Sequence, residues 1–310
     1  MVIEQQSGKN WMMYNGDCVE VLSGLPDDSV GYSIFSPPFS SLYTYSNSER
    51  DLGNCKTDQE FIDHFRFVAN ELFRVIMPGR LVSIHCMLIP AMKERDGYIG
   101  LKDFRGDIIR LFQDVGFIFH GEVTIWKDPL VEATRTKALG LMHKQLCKDS
   151  SMCRQGLPDY VVTMRKPGEN PDMISHPAGL TCYAGSDEVK KGNYSHEVWR
   201  KYASPIWFDI RQTNTLNKAG AREEKDERHI CPLQLDVIER CLTLWSKEDD
   251  TVLSPFAGIG SEGYQAVKMN RRFVGVELKA SYFDCAVKNI TKAESTHEQL
   301  SLFDMEGQES

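Results

Sequence analysis

The sequence of 310 residues lacks several features that mark common classes of protein. It has no apolar run near the roughly 18 residues that a membrane-spanning helix needs. The segment from Met1 to Asn10 is polar and has no signal-peptide core. The nine cysteines include no CxxC pair, so neither a zinc site nor a disulfide framework is indicated. We therefore expect a cytoplasmic chain with reduced thiols, no membrane partner and no metal.

A net positive charge is also lacking, since the formal net charge is −8. The segment from Lys127 to Arg228 nevertheless carries 17 Lys and Arg against 14 Asp and Glu, whereas the rest of the chain carries 19 against 30. A locally basic segment on an acidic body favours a groove that faces phosphates. Chance variation among solvated side chains produces the same pattern, so the charge supports a nucleic-acid partner without establishing one.

Apolar runs of strand length alternate with amphipathic helical patterns along most of the chain. This alternation predicts the α/β class, with a doubly wound, mostly parallel sheet covered by helices on both faces. Pro78-Gly79 is expected to end the helix before one of the strands, and Ala293 to Ser310 is expected to be a frayed tail. Strands are predicted at Trp11 to Asn15, Val30 to Phe35, Arg80 to Cys86, Phe117 to Trp126, Tyr160 to Met164, Thr251 to Leu253 and Phe273 to Glu277.

A glycine-rich turn, Ser254 to Ser261, lies between a predicted strand and a predicted helix. Glycines let the backbone turn sharply and let a ligand approach, and the following helix offers free N–H groups to an acceptor. About twenty residues further on, the next strand ends in Glu277. An acidic side chain at that position can accept hydrogen bonds from both hydroxyls of a ribose. The pair of features predicts a nucleoside-binding site.

The glycine pattern alone is weak evidence, because tight packing of a helix on a strand also selects glycine. Gly258, Gly260 and Gly263 satisfy GxGxxG, which a dinucleotide site would share. Only 47 residues follow Gly263, too few for the rest of a dinucleotide domain and a substrate domain. Glu262 would also place a negative charge at the helix start, where a pyrophosphate has to sit. These points favour S-adenosylmethionine, which carries no phosphate.

The turn Ser36-Pro37-Pro38-Phe39 follows another predicted strand. A purely structural explanation is that the turn ends the strand, because proline has no N–H group to donate to a neighbouring strand. Chemically, the Ser36 hydroxyl and the Pro37 carbonyl form a rigid pair of acceptors for the two N–H groups of an amine. Such acceptors would turn the lone pair of a conjugated base amine toward a methyl donor, and the prolines would fix them in advance. Phe39 would then stack on a base flipped out of the duplex.

Together, "SPPF" and "SPFAGIGS…VGVEL" resemble the DNA amino-methyltransferases that modify cytosine N4 or adenine N6. The catalytic turn precedes the cofactor turn, as in the permuted β class of that family. "NGDCVEVLSGLPDDSV", "ELFRVIMPGRLVSIHC" and "RHICPLQLDVIERCLTLWS" are similar to the family's connecting segments, so the resemblance covers nearly the whole chain. It implies a Rossmann-like methyltransferase fold with S-adenosyl-L-methionine as cofactor and double-stranded DNA as substrate. It also implies a prokaryotic or phage-infected host cell and a possible cognate restriction endonuclease.

The resemblance also implies roles for individual residues and segments. Asp17 would contact the adenine end of the cofactor, and Arg228 to Pro232 would lie near its methionine part. The expected divisions are a catalytic half at 11–126, a strand return with an inserted target-recognition region at 127–228, a cofactor-binding half at 229–292 and a flexible tail at 293–310. The expected catalytic residues are Ser36, Pro37, Pro38 and Phe39, and the expected cofactor residues are Asp17, Ser254, Phe256, Ala257, Gly258, Gly260, Ser261 and Glu277.

Two residues depart from the family pattern, since Ser254 stands where Asp is usual and Glu262 where a small or hydroxyl residue is common. Both departures bear on cofactor affinity. Ser at the head of the catalytic turn favours cytosine N4, while adenine N6 is the alternative. His85, at a strand end, is interpreted as a core or supporting histidine rather than as a base.

Other classes fit the sequence less well. A C5-cytosine methyltransferase needs a Pro-Cys nucleophile, and the chain has only Cys231-Pro232, in the reverse order. RNA and protein methyltransferases with a related turn usually carry the cofactor motif first. A degenerate relative that only binds DNA is the remaining alternative. The target sequence and the oligomeric state are not readable from the chain.

Overall fold

The computed structural model describes residues 2–38, 52, 55, 57–91, 93–136, 139–176, 180, 193–217 and 232–306. The strands are β1 (Glu4–Ser7), β2 (Trp11–Asn15), β3 (Val30–Phe35), β4 (Ile76–Met87), β5 (Ile89–Ala91), β6 (Gly100–Lys102), β7 (Ile118–Ile125), β8 (Asp159–Arg165), β9 (Ile206–Trp207), β10 (Thr251–Ser254) and β11 (Arg272–Glu277). The helices are α1 (Cys18–Ser23), α2 (Asp58–Val75), α3 (Lys93–Asp96), α4 (Phe104–Val115), α5 (Pro129–Thr136), α6 (His143–Lys148), α7 (Asn193–Ala203), α8 (Leu235–Trp245), α9 (Ser261–Lys268) and α10 (Ala280–Glu306).

Nine of these strands form one sheet in the order β1-β2-β11-β10-β3-β4-β8-β7-β9. The neighbours from β2 to β4 pair in parallel, and β8 pairs antiparallel with both β4 and β7. The predicted α/β class with a mostly parallel sheet is therefore confirmed. Within the described ranges, no helix is both long and apolar enough to cross a membrane.

Helices cover both faces of the sheet. Successive residues of a strand point to opposite faces, so the apolar side chains of the central strands need cover on each side. Phe35 and Leu253 pack into the cluster formed with α1, α2 and α4. Their neighbours Ile34 and Val252 pack into the cluster formed with α8, α9 and α10. The central strands are thus buried on both faces, which explains why they read as continuous apolar runs rather than as alternating ones.

The expected helix end at Pro78-Gly79 is wrong. Helix α2 ends at Val75, and β4 begins at Ile76, which pairs with Val30. The register then shifts between Val30 and Tyr32, and Gly79 has a φ of +74°. A strand tolerates proline and glycine at such an irregularity, because the ladder is already interrupted there.

The segment expected to form a frayed tail is helical as far as Glu306, because α10 continues to that residue. No Gly or Pro interrupts the chain between Ala293 and Glu306. Near the start of this stretch, the carboxylate of Glu294 accepts hydrogen bonds from the backbone N–H of Lys9 at 2.7 Å and from Nε1 of Trp11 at 3.2 Å. These contacts fasten the helix to the sheet beside β2.

Candidate active site at the carboxyl edge of the sheet

The parallel strands of the sheet all end at one edge, and the predicted site residues lie at those ends. Leu253 pairs with Ser33, Ser254 with Gly275, and Glu277 with Asn15. The chain order reverses at β10, which has β11 on one side and β3 on the other. Ligands of open α/β sheets bind at such a switch point, outside the carboxyl ends of the strands. The fold therefore brings the Ser-Pro-Pro turn and the glycine turn to neighbouring positions.

Glu277 forms the tip of β11 and is tied to the glycine turn. Its Oε2 accepts a hydrogen bond from the backbone N–H of Gly258 at 2.8 Å, and its Oε1 accepts one from the N–H of Lys279 at 2.9 Å. The side chain of Asn15 donates to the carbonyl of Glu277 at 2.9 Å. The carboxylate is therefore fixed at the edge of the sheet, with further lone pairs for a ligand's hydroxyl groups.

The glycine turn leaves space for a ligand on one side only. A Cβ added to Gly258, which has a φ of +52°, would meet no atom of the described residues within 4 Å. A Cβ on Gly260 would come within 3.0 Å of Ala286 in α10. The buried Oγ of Ser254 has no hydrogen-bond partner within the described part of the chain. An open cradle beside an unsatisfied hydroxyl and a fixed carboxylate fits a nucleoside cofactor with hydroxyl and amino groups.

Asp17 lies just after β2, at the same edge. Its Oδ1 accepts a hydrogen bond from the backbone N–H of Glu20 at 3.1 Å and so caps α1. The structure places Phe256, Ala257 and Ser261 in and after the glycine turn, where the N–H of Ala257 donates to the carbonyl of Val276 at 2.8 Å. The assignment of these residues to the cofactor stays a prediction.

Glu262 occupies the first turn of α9 and is only 4% exposed. Burial raises its pKa to about 8, and the negative charge of Glu277 acts in the same direction. At neutral pH this carboxyl is therefore largely protonated. The sequence argument that a charged Glu262 would repel a pyrophosphate is accordingly wrong.

The Ser-Pro-Pro turn begins where β3 ends. Phe35, the last residue of the strand, is fully buried, and its ring centroid lies 5.7 Å from that of Phe256 in the glycine turn. The two turns are thus joined through one aromatic contact. Ser36, Pro37 and Pro38 follow directly, whereas Phe39 lies outside the described residues.

Ser36 contacts a second strand through its side chain. Phe35 pairs with Ile84 of β4, so the next residues, Ser36 and His85, lie side by side. The Oγ of Ser36 and the Nδ1 of His85 are 2.9 Å apart. This contact places His85 directly against the first residue of the turn.

Two charged residues behind His85 were not predicted from the sequence. The Oδ2 of Asp159, the first residue of β8, lies 3.3 Å from Nε2 of His85. Its Oδ1 lies 2.6 Å from Nζ of Lys127. Burial alone would raise the pKa of Asp159, but the contact with His85 and the charge of Lys127 hold it below its usual value. The sequence feature that could have pointed to Asp159 is its position, as an acidic residue at the start of a buried strand.

Comparisons with known proteins agree with this geometry. The model of the N6/N4 DNA methylase family matches residues 32–288, a span that includes both turns. The type II methyltransferase M.ScaI of Streptomyces caespitosus is 38% identical over 280 residues, which cover 89% of this chain and 80% of that protein.

Two solved structures share the fold. PvuII DNA methyltransferase, which is cytosine-N4-specific, has a TM-score of 0.62 at 17% identity over 96% of each chain. A putative DNA modification methylase from Thermus thermophilus, complexed with S-adenosyl-L-methionine, has a TM-score of 0.65 at 22% identity, over 91% of this chain and 93% of that one. On the breadth of the family match and the identity to M.ScaI, the chain belongs to the N6/N4 family of DNA methylases.

Proposed function

We propose that the protein transfers a methyl group from S-adenosyl-L-methionine to the exocyclic N4 of cytosine, at a specific site in double-stranded DNA. The observation that carries this proposal is the adjacency of the two turns, in which Phe35 before the Ser-Pro-Pro corner packs on Phe256 of the glycine turn. An amine bound at one turn would therefore lie beside a cofactor bound at the other. The cofactor supplies a methyl group on a positively charged sulfur.

The glycine turn and its neighbours are assigned to the cofactor. Glu277 is positioned to accept hydrogen bonds from the ribose hydroxyls, because Gly258 and Lys279 already hold its carboxylate in place. The unsatisfied Ser254 hydroxyl and the open space at Gly258 complete the cradle. Asp17, Phe256, Ala257, Gly260 and Ser261 are assigned to the same pocket.

The Ser-Pro-Pro corner is assigned to the amine. Its oxygen acceptors would take both N–H groups, so that the nitrogen lone pair leaves conjugation with the ring. Pro37 and Pro38 reduce the freedom of this corner before the base arrives. A base inside a duplex cannot reach the corner, so the target nucleotide has to be flipped out. Phe39 is assigned to stacking on that base.

The choice of cytosine over adenine rests on Ser36 at the head of the turn. The structural neighbour PvuII DNA methyltransferase is itself cytosine-N4-specific, which supports the choice.

DNA from a host that lacks its own methylases should be digested to nucleosides after expression of the protein. N4-methylcytosine is the expected product, and N6-methyladenine alone would contradict the choice of base. Sequencing of the modified DNA would give the target sequence. Unmethylated DNA that carries this sequence is then the substrate on which a partner endonuclease is tested.

The corner itself is tested by substitution. The double variant Pro37→Ala/Phe39→Ala should lose methylation while its affinity for S-adenosyl-L-methionine stays within a few-fold of wild type. Pro26→Ala is the matched control, because Pro26 is an exposed proline in the turn at the other end of the same strand. A double variant with full activity would remove the catalytic assignment.

A further inference from the structure

Behind Ser36 lies a row of three buried ionisable side chains. His85 is 9% exposed and Asp159 is 3% exposed, and the Lys127 side chain is 9% exposed. Buried polar and charged groups are costly unless they are paired, so a continuous row of three requires an explanation. The row begins at the catalytic corner and ends at Lys127.

The row sets the direction of the hydrogen bond at Ser36. The carboxylate of Asp159 lies 3.3 Å from Nε2 of His85, an electrostatic contact, and Nε2 has no hydrogen-bond partner within the described part of the chain. A carboxylate at that position favours a proton on Nε2, which leaves a lone pair on Nδ1. The Ser36 hydroxyl, 2.9 Å from Nδ1, then donates to the imidazole. Its own lone pairs stay available to accept an N–H group.

From this geometry we propose that His85, oriented by Asp159, receives the proton that leaves the target amine, with Ser36 as the carrier between them. The proposal rests on the proposed function. His85 and Asp159 act through Ser36 and are positioning residues, since neither touches the base in this arrangement.

The step balances in atoms and charge. A bond forms between the methyl carbon and the amino nitrogen as the carbon–sulfur bond breaks, and that electron pair stays on sulfur. The nitrogen gives one proton to Oγ of Ser36, whose own hydroxyl proton moves to Nδ1 of His85. One positive charge disappears from sulfur and one appears on the imidazole, so the net charge of the site is unchanged. The imidazolium then faces Asp159, which the second contact from Lys127 keeps ionised.

The first test reads the histidine without cofactor or DNA. The protein labelled with ¹⁵N-histidine should show the His85 ring as the Nε2–H tautomer by NMR, assigned through loss of its signals in His85→Asn. Asp159→Asn should lose that preference, because the carboxylate that selects it is gone. A wild-type His85 with its proton on Nδ1 would overturn the proposal.

The second test separates proton uptake from orientation. In His85→Asn the side-chain oxygen can still accept from Ser36 but cannot take up a proton. Its single-turnover rate should fall by roughly 10²- to 10⁴-fold, the usual contribution of acid–base catalysis, with cofactor affinity unchanged. His120→Asn, on β7 near the opposite end of the sheet, is the matched control and should keep the wild-type rate. A His85→Asn rate within threefold of wild type would overturn the relay.

A second variant covers a failure of His85→Asn to fold. If that variant no longer binds the cofactor, His85→Ala with added imidazole decides, because a small base in the vacated space should restore a rate that rises with imidazole concentration. Absence of rescue in a variant that binds cofactor would count against the relay. Product analysis on the wild type separates the two proposals. N6-methyladenine would overturn the choice of base and leave the relay under test, whereas no methyl transfer to DNA would end both.

Discussion

At the scale of single residues, Glu262 should make the folded state sensitive to pH. Its pKa is about 8 in the folded protein against an ordinary value of 4.5, so the unfolded chain loses the proton first as pH rises. Stability should therefore fall between about pH 4.5 and pH 8 and level off above that. Glu262→Gln removes this penalty, so its stability relative to wild type should increase across that range, by an amount on the order of a few kcal/mol.

Urea unfolding of both proteins at pH 5 and at pH 8.5 measures this difference. Glu94→Gln is the control, because Glu94 is exposed on α3 and should show no such trend. An equal gap between Glu262→Gln and wild type at both pH values would contradict the raised pKa.

Glu277 should contribute to cofactor binding through charge as well as shape. Both of its oxygens accept backbone hydrogen bonds, so Glu277→Gln turns an amide N–H₂ group toward one of those donors. The ribose hydroxyls would then lose a charged acceptor, and loss of a hydrogen bond to a charged group costs about 1.5–3 kcal/mol, which corresponds to a roughly 10- to 160-fold weaker affinity. Calorimetric titration with S-adenosyl-L-methionine measures it, with the exposed Glu239→Gln on α8 as control. Unchanged affinity would remove Glu277 from the pocket.

At the scale of elements, two glycines of the same turn and helix should respond differently to a methyl group. A Cβ on Gly263 would meet Phe273 and Ile290 at 2.6 Å, so Gly263→Ala overpacks the contact of α9 with β11 and α10. Such overpacking costs about 1–3 kcal/mol and should lower the melting temperature. Gly258→Ala meets open space and should instead weaken cofactor binding more than stability, apart from a cost of about 1 kcal/mol for its positive φ. Melting curves with and without S-adenosyl-L-methionine distinguish the two, and the reverse pattern would contradict this division.

The strands that carry the two turns could be predicted from the sequence, because each is a buried apolar run ended by a motif. Ser36-Pro37 follows the end of β3 and Ser254 ends β10, as expected. The start of β4 could not be predicted, since Ile76 continues the helical pattern of α2 and only its pairing with Val30 makes it a strand. The row behind Ser36 was missed for a similar reason. Asp159 reaches His85 through the antiparallel pairing of β8 with β4. Local sequence periodicity does not determine which residues of two distant strands lie opposite each other.

At the scale of the whole molecule, Arg80 connects segments that are far apart in the chain. Its side chain is 1% exposed, donates to the carbonyls of Gly31 at 2.8 Å and Asp172 at 3.0 Å, and pairs with Asp250 before β10. Arg80→Met would leave Asp250 buried without its cation, so the free energy of unfolding should fall by about 3–5 kcal/mol.

Urea unfolding checks this value. The double variant Arg80→Met/Asp250→Asn is the control, and it should lose less than the sum of the two single losses, because the stranded charge is gone. A loss below about 1 kcal/mol in Arg80→Met would show that the pair adds little to the fold.

The pairing of β3 with β10 has a consequence for how the protein is made. The Ser33 hydroxyl donates to the carbonyl of Leu253, a partner that the ribosome adds 220 residues later. A growing chain presents its Ser-Pro-Pro corner early, yet the strand beside it arrives only near the end of translation. Until Glu277 has emerged, the nascent protein lacks part of the cofactor site that we propose, and truncated products released before that point should not methylate DNA.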